Sequence, residues 1–153
     1  MTVGATTGRA ALVALATVAA DQAVKALVRS SVAPRETVGV LPGIDIVNVR
    51  NTGVAFSMLS NGGALPVIVG VLALGALLAF FATHLSRPLV WLPTGLLVGG
   101  AAGNLIDRLR EGSVTDFVKL PHWPAFNVAD IAITFGVLTL VYVLEGAPRR
   151  ARR

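Results

Sequence analysis

Two aspartates 14 residues apart, Asp116 and Asp130, stand where a polar loop runs into a long apolar segment. Asp116 lies in Ser113-Val114-Thr115-Asp116-Phe117 and Asp130 in Phe126-Asn127-Val128-Ala129-Asp130, so apolar neighbours hold bulk water away from each. An acid at the edge of a membrane span is costly and needs a partner or a task. Two carboxylates brought together in such surroundings share a proton rather than both ionising. One ionised and one protonated carboxyl can serve as general base and general acid on the same substrate, with no metal or cofactor required.

The rest of the inventory offers no competing nucleophile. The chain has no cysteine, which removes thiolate chemistry and disulfides, and its two histidines, His84 and His122, are too far apart in sequence to suggest a zinc site. No Ser/His/Asp arrangement is evident either. Of 153 residues, 54% are hydrophobic and 14% charged, which is too apolar for a soluble domain of this size. The net charge of +5 does not imply nucleic acid, because Arg149, Arg150, Arg152 and Arg153 crowd the tail directly after an apolar run. That placement suits an anchor facing anionic lipid.

Four apolar segments can position the acids, at about 10–28, 64–83, 89–106 and 126–144. The second has 20 residues without a charge and Pro66 near its start, where a missing N–H does least harm. At about 1.5 Å per residue such a helix crosses a hydrocarbon core of roughly 30 Å. The first carries Asp21, Gln22 and Lys25 in its last third, which marks it as a permanent helix rather than a cleavable signal. An even number of spans places both termini on one side. Residues 1–9, 84–88 and 146–153 carry six arginines (Arg9, Arg87 and the four of the tail) in 22 residues, and the other seven basic residues are spread over the span ends and opposing loops more than twice as long. That density predicts cytoplasmic termini. The loops at about 29–63 and 107–125 then lie outside, and Asp21, Asp107, Asp116 and Asp130 gather at the outer face.

Between the first two spans, Val38, Val40, Ile44, Ile46, Val47 and Val49 favour extended chain, broken by Leu41-Pro42-Gly43 and again by Asn51-Thr52-Gly53. A small outer sheet is expected there, able to cradle an extended peptide by strand addition. Plainer readings stand beside the chemical ones. Asp21 and Lys25, four apart, form an ion pair that makes the span tolerable or take a direct part, with even weight on each. Gly99, Gly100 and Gly103 have the spacing of close helix packing. Asp107 precedes Arg108 and Arg110, which suits a structural ion pair, although it competes with Asp116 as a dyad member. Asp116 and Asp130 could each cap a helix or turn and Asp116 could sit in solvent, whereas Asp130, inside its span with Asn127 one turn before it, calls for a polar partner and a water-accessible cavity. A small proton-coupled transporter using Asp21, Lys25 and Asp130 as a relay is the main alternative, and a noncatalytic scaffold is a third reading. Transport predicts acids spread through the membrane depth, and here they cluster at one face.

Five segments in order carry a resemblance: Asp21-Gln22-x-x-Lys25, Asn51-Thr52-Gly53-Val54-Ala55-Phe56, Gly99-Gly100-Ala101-Ala102-Gly103-Asn104-Leu105-Ile106-Asp107-Arg108, Val114-Thr115-Asp116-Phe117 and Phe126-Asn127-Val128-Ala129-Asp130. Together they resemble the motif set of the bacterial lipoprotein signal peptidases, or signal peptidase II, across nearly the whole chain. The resemblance implies a membrane-embedded aspartyl endopeptidase. It would remove the signal peptide from a diacylglyceryl-modified prolipoprotein, cutting just before the lipidated cysteine, with Asp116 and Asp130 as the catalytic pair. Asp21, Lys25, Asn51, Gly53, Asn104, Asp107, Arg108 and Asn127 are expected to support them or bind substrate. The asparagines would orient the aspartates or bond the substrate backbone, and Arg108 would tie a carboxylate or a lipid headgroup. The partners expected are the prolipoprotein and membrane lipids, with no nucleic acid, and the location is the bacterial cytoplasmic membrane. The fold class expected is all-α integral membrane, a single domain over 1–153. It comprises four transmembrane helices, a small extracytoplasmic β-rich cradle, and a short surface helix near Asn51 to Ser60.

Overall fold

In lipid, a backbone must satisfy its own polar groups, and long Ala/Leu/Val runs do this as helices. The computed structural model describes residues 2–53 and 64–145. Within them lie helices α1 (Val3–Ser31), α2 (Leu65–His84), α3 (Trp91–Glu111) and α4 (Val128–Glu145), and strands β1 (Thr37–Leu41), β2 (Ile44–Asn51) and β3 (Val114–Lys119). Of these helices, α1, α2 and α4 are long and apolar enough to cross a membrane. Helix α3, with 21 residues, is long enough but ends in Asp107, Arg108, Arg110 and Glu111. The surface helix expected near Asn51 to Ser60 falls mostly outside the described residues, as do the four tail arginines.

Local chemistry sets the ends. The Thr2 hydroxyl accepts the Ala5 N–H at 3.4 Å and caps α1, and Pro66 stands in the first turn of α2. Gly112, at φ +69°, closes α3 in the left-handed conformation, its N–H bonded to the Arg108 carbonyl. Both α1 and α3 run further than the apolar segments suggested, to Ser31 and Glu111 rather than about 28 and 106. Lys25 pairs with Asp107 inside the bundle and Arg29 with Glu111, so the helices continue through these charges.

Helix α3 is the centre of the bundle, packed against α1, α2 and α4. Gly95, Gly99 and Gly103 recur every four residues along the side facing α1. A Cβ on them would fall 2.5 Å from the Val13 Cβ, 2.7 Å from the Thr17 Cβ and 2.7 Å from Asp21 Oδ2. Gly100 faces α4 in the same way. Small side chains let helix backbones approach closely, which is the main source of helix cohesion in lipid. Leu72, Phe135, Leu138 and Tyr142 are exposed, as suits a surface that meets acyl chains.

The three strands form one antiparallel sheet in the order β1-β2-β3. The β1–β2 hairpin turns at Pro42-Gly43, where Gly43 has φ +78°. The third strand was read as loop from sequence. It pairs with β2 in a register that sets Val49 opposite Asp116 and Asn51 opposite Val114. Phe117 joins Val28 and Val32 of α1 in a buried apolar cluster, fixing the sheet to the end of the bundle. Phe126 does not begin the last helix: it bridges Val118, and α4 starts two residues later.

Candidate active site

The C-terminal ends of α1 and α3, the N-terminus of α4 and strand β3 meet at one end of the bundle, and Asp21, Lys25, Asn51, Asn104, Asp107, Asp116, Asn127 and Asp130 turn into this junction. Asp116 comes from β3 and is 2% exposed. Asp130 comes from the first turn of α4 and is half-buried.

Each dyad oxygen accepts an N–H. On Asp116, Oδ1 accepts from Asn127 Nδ2 at 2.7 Å and Oδ2 from Asn51 Nδ2 at 2.9 Å. On Asp130, Oδ1 accepts from Asn104 Nδ2 at 2.9 Å and Oδ2 from the Asn127 backbone N–H at 3.2 Å. Asn127 completes the exchange, its Oδ1 accepting the Asp130 N–H at 2.9 Å. This reciprocal pair is a capping box, with Asn127 before the helix and Asp130 at its third position. Asp130 therefore caps its helix, the plain reading that the sequence leaves open for it beside the chemical one. Asn127 is fully buried and bonds both aspartates, and its Nδ2 also reaches Asn104 Oδ1 at 3.1 Å.

Burial pushes the Asp116 carboxyl above its ordinary value, and the nearby Asp130 charge pushes the same way. Hydrogen bonds from Asn51 and Asn127 and the Lys25 charge oppose them without cancelling the rise. A buried carboxyl that holds its proton beside a more exposed partner is the arrangement acid and base roles require.

The remaining residues sort by geometry. Asn51 also takes the Gly53 N–H on its Oδ1 at 2.8 Å, a tight turn in which Gly53 has φ +75°. Asp107 does not join the dyad: its Oδ2 lies 3.0 Å from Lys25 Nζ, and it sits within α3 rather than in a loop. Asp21 pairs with Lys25 at 2.8 Å. Arg108 meets the Asn104 carbonyl oxygen at 3.5 Å instead of a carboxylate. Sequence reasoning passed over Gln22, whose Nε2 donates to Asp107 Oδ1 at 2.9 Å, although an amide between two charges in an apolar span was signal enough. It also passed over Arg29, which donates to the Thr115 hydroxyl at 3.1 Å and pairs with Glu111, itself paired with Arg50.

Beside Asp130 an apolar groove of about 280 Å³ opens between Leu120, Trp123, Phe126, Ile131, Thr134 and Phe135. Ile131 and Phe135 also line a larger hollow that runs along α1 and α4 past Thr17 and Ala20. Reacting groups can thus reach Asp130 from the side of the bundle.

The family described as Signal peptidase (SPase) II matches residues 13–145. The lipoprotein signal peptidase of Moorella thermoacetica is 43% identical over 137 residues, covering 87% of this chain and 90% of the relative. That of Nitratidesulfovibrio vulgaris is 38% identical over 142 residues, covering 86% of each. A solved bacterial membrane enzyme superposes with a TM-score of 0.82 at 30% identity, covering 95% of this chain and 94% of its own. The matched stretch contains both aspartates, their asparagine donors and the buried charges behind them, and the chain belongs to the signal peptidase II family.

Proposed function

We propose that the protein is a membrane-embedded aspartyl endopeptidase acting on diacylglyceryl-modified prolipoproteins, with Asp116 and Asp130 as its catalytic pair. The observation that carries the reading is the pair itself: two carboxyls joined through Asn127, one buried with a raised proton affinity, the other beside an open groove. Nothing in the fold favours transport, since Asp21, Asp107, Asp116 and Asp130 gather at one end of the bundle rather than along it.

The chemistry follows from the two environments. With one proton on the pair, Asp116 holds the larger share and Asp130 is the base. Asp130 takes a proton from water as the water oxygen bonds to the scissile carbonyl carbon, and Asp116 gives its proton to the carbonyl oxygen. The resulting diol collapses as a proton passes to the amide nitrogen and the C–N bond breaks. The signal peptide leaves with a new carboxyl group and the lipidated cysteine with a free amine.

All four helices are read as membrane spans in a single domain, with α3 tolerated because Asp107 and Glu111 are paired with Lys25, Arg29 and Arg50 and its two arginines lie in the last turn. The density of arginine near α1 and in the tail supports cytoplasmic termini and a site near the extracytoplasmic face of the bacterial membrane. The lateral groove suits entry of diacylglyceryl chains from the bilayer, each buried CH₂ contributing roughly 0.8 kcal/mol. Arg108, half-buried beside the site, is free to meet a headgroup phosphate or the substrate.

The pH profile of cleavage tests the assignment of acid and base. Activity should fall at high pH as Asp116 loses its proton, at a pH above the ordinary carboxylate range because burial raises its proton affinity. The Asn51 N–H favours ionised Asp116, so Asn51→Ala is expected to raise the Asp116 proton affinity and move the alkaline limb to higher pH. Rates measured across pH on a lipidated precursor would show it. An alkaline limb that stays put or moves down in the variant contradicts the assignment of Asp116 as the acid.

A further inference from the structure

Behind the dyad lies a second set of buried charges that the reaction does not use. Lys25 is 0% exposed, as is Asp21, and Asp107 is 2% exposed. The ammonium has three donors and three partners: Asp21 Oδ2 at 2.8 Å, Asp107 Oδ2 at 3.0 Å and Asn104 Oδ1 at 3.1 Å. Gln22 braces both acids, donating to Asp21 Oδ2 at 3.2 Å and Asp107 Oδ1 at 2.9 Å. Desolvating three charges is expensive, and an apolar filling of the same volume is often at least as stable. Holding the helices together therefore does not account for the cluster.

Its outward bonds do. The second oxygen of Asp21, Oδ1, accepts the backbone N–H of Ala129 at 2.9 Å. Asp107 Oδ2 accepts the backbone N–H of Thr115 at 3.1 Å. Ala129 and Thr115 are the residues immediately before Asp130 and Asp116. Lys25 joins the two tethers, so the peptide units that carry the two aspartates hang from one cation. A third arm reaches the dyad directly. Asn104 Oδ1 faces Lys25 Nζ and Asn127 Nδ2, both donors, which leaves the Asn104 NH₂ turned toward Asp130.

We propose that the buried Asp21–Lys25–Asp107 triad is the positioning device of the dyad, fixing the separation of Asp116 and Asp130 through the amides preceding them and fixing the orientation of the Asn104 amide. This rests on the reading of Asp116 and Asp130 as the catalytic pair. The triad residues do not touch the reacting atoms and are positioning residues. The charged groups around Lys25 are Asp21 on its own helix, Asp107 on α3, Asp116 on β3 and, through Asn104, Asp130 on α4.

The test uses the full-length protein in detergent, with kcat, KM and a pH profile for cleavage of a lipidated precursor measured on monodisperse, helical samples. Lys25→Met leaves two buried carboxylates without a counter-ion, so Lys25→Met with Asp107→Asn is made beside it to restore the local charge balance. The double variant should fold, with kcat reduced about 100-fold, as for a misplacement of about 1 Å, and KM within about twofold of wild type. In Lys25→Met alone the alkaline limb should move to higher pH, because the Lys25 charge favours ionised Asp116. Wild-type kcat in the double variant would overturn the proposal, as would a loss confined to KM. Asp116→Asn, run in parallel, separates the two levels. If it cleaves normally, the dyad reading fails and the positioning proposal with it. If it is inactive while the charge-balanced variant is unimpaired, the positioning proposal alone fails.

Discussion

Asp116→Asn and Asp130→Asn are each expected to slow cleavage of a lipidated precursor by about 1,000-fold or more, with little change in fold. Asparagine keeps the shape of aspartate but can neither give up nor accept the proton that amide hydrolysis moves. At position 130 the new side chain can still accept the Asn127 backbone N–H, so the cap on α4 survives in part and the stability change is about 1 kcal/mol. At position 116 the side chain retains an acceptor for Asn127 and loses the one for Asn51. Because the two carboxyls act as a unit, the double variant should be scarcely slower than either single one. Single-turnover rates beside thermal melting check all of this. Retention of a tenth or more of the wild-type rate in either single variant would remove that aspartate from the chemistry.

Gly100→Ala is the second substitution expected to do great damage, by displacement rather than deletion. A Cβ there would lie 2.6 Å from the Ala129 carbonyl oxygen and 2.7 Å from Ile133 Cγ1. The isoleucine can change rotamer, but the carbonyl belongs to the backbone of α4, one residue before Asp130. Relief requires α4 to move away from α3, carrying Asp130 off its bond from Asn104. Overpacking of this kind costs about 1–3 kcal/mol, and a shift near 1 Å in a catalytic group costs about 100-fold in rate. Gly75→Ala is the matched control, since no atom lies within 4 Å of the added carbon. It should leave rate and melting temperature near wild type. Equal rates for the two variants would show that the close contact of α3 with α4 does not position Asp130.

Much of the site was legible because acids and asparagines in an apolar chain have few places to go. Asp116, Asp130 and Asn127 stood out on residue type and position, Asn104 entered with the family resemblance, and all four converge. What stayed hidden depended on helix rotation and length. Lys25 lies on α1 and Asp107 on α3, and nothing local in either segment shows that α3 turns Asp107 inward to meet the cation. The same pairing explains why α1 and α3 run on through charges that read as span ends. Strand β3 was missed although Val114, Thr115 and Val118 are β-branched, because the stretch is short and its partner β2 lies far away in the sequence, with Asn51 opposite Val114 and Asp45 opposite Lys119. The capping box was available in the sequence, since Asn127 and Asp130 stand at the cap and third positions. A capping role for Asp130 was among the plain readings, but a span drawn from Phe126 puts Asn127 inside the helix, and only the start at Val128 sets it at the cap position. Arg108 beside Asp107 suggested an ion pair, yet neighbours on a helix point apart, and Arg108 turns back to the Asn104 carbonyl.

The central claim is that the carboxyl pair hydrolyses one peptide bond of a lipidated precursor. Its most direct test incubates the purified protein in detergent, with a chelator present, with a diacylglyceryl-modified prolipoprotein and with the same precursor lacking lipid, and weighs the products by mass spectrometry. The expected result is a single cut of the lipidated form just before its modified cysteine, unaffected by the chelator, and little or no cutting of the unlipidated form. An intact lipidated precursor after incubation with folded protein, or cleavage that the chelator abolishes, would contradict the account.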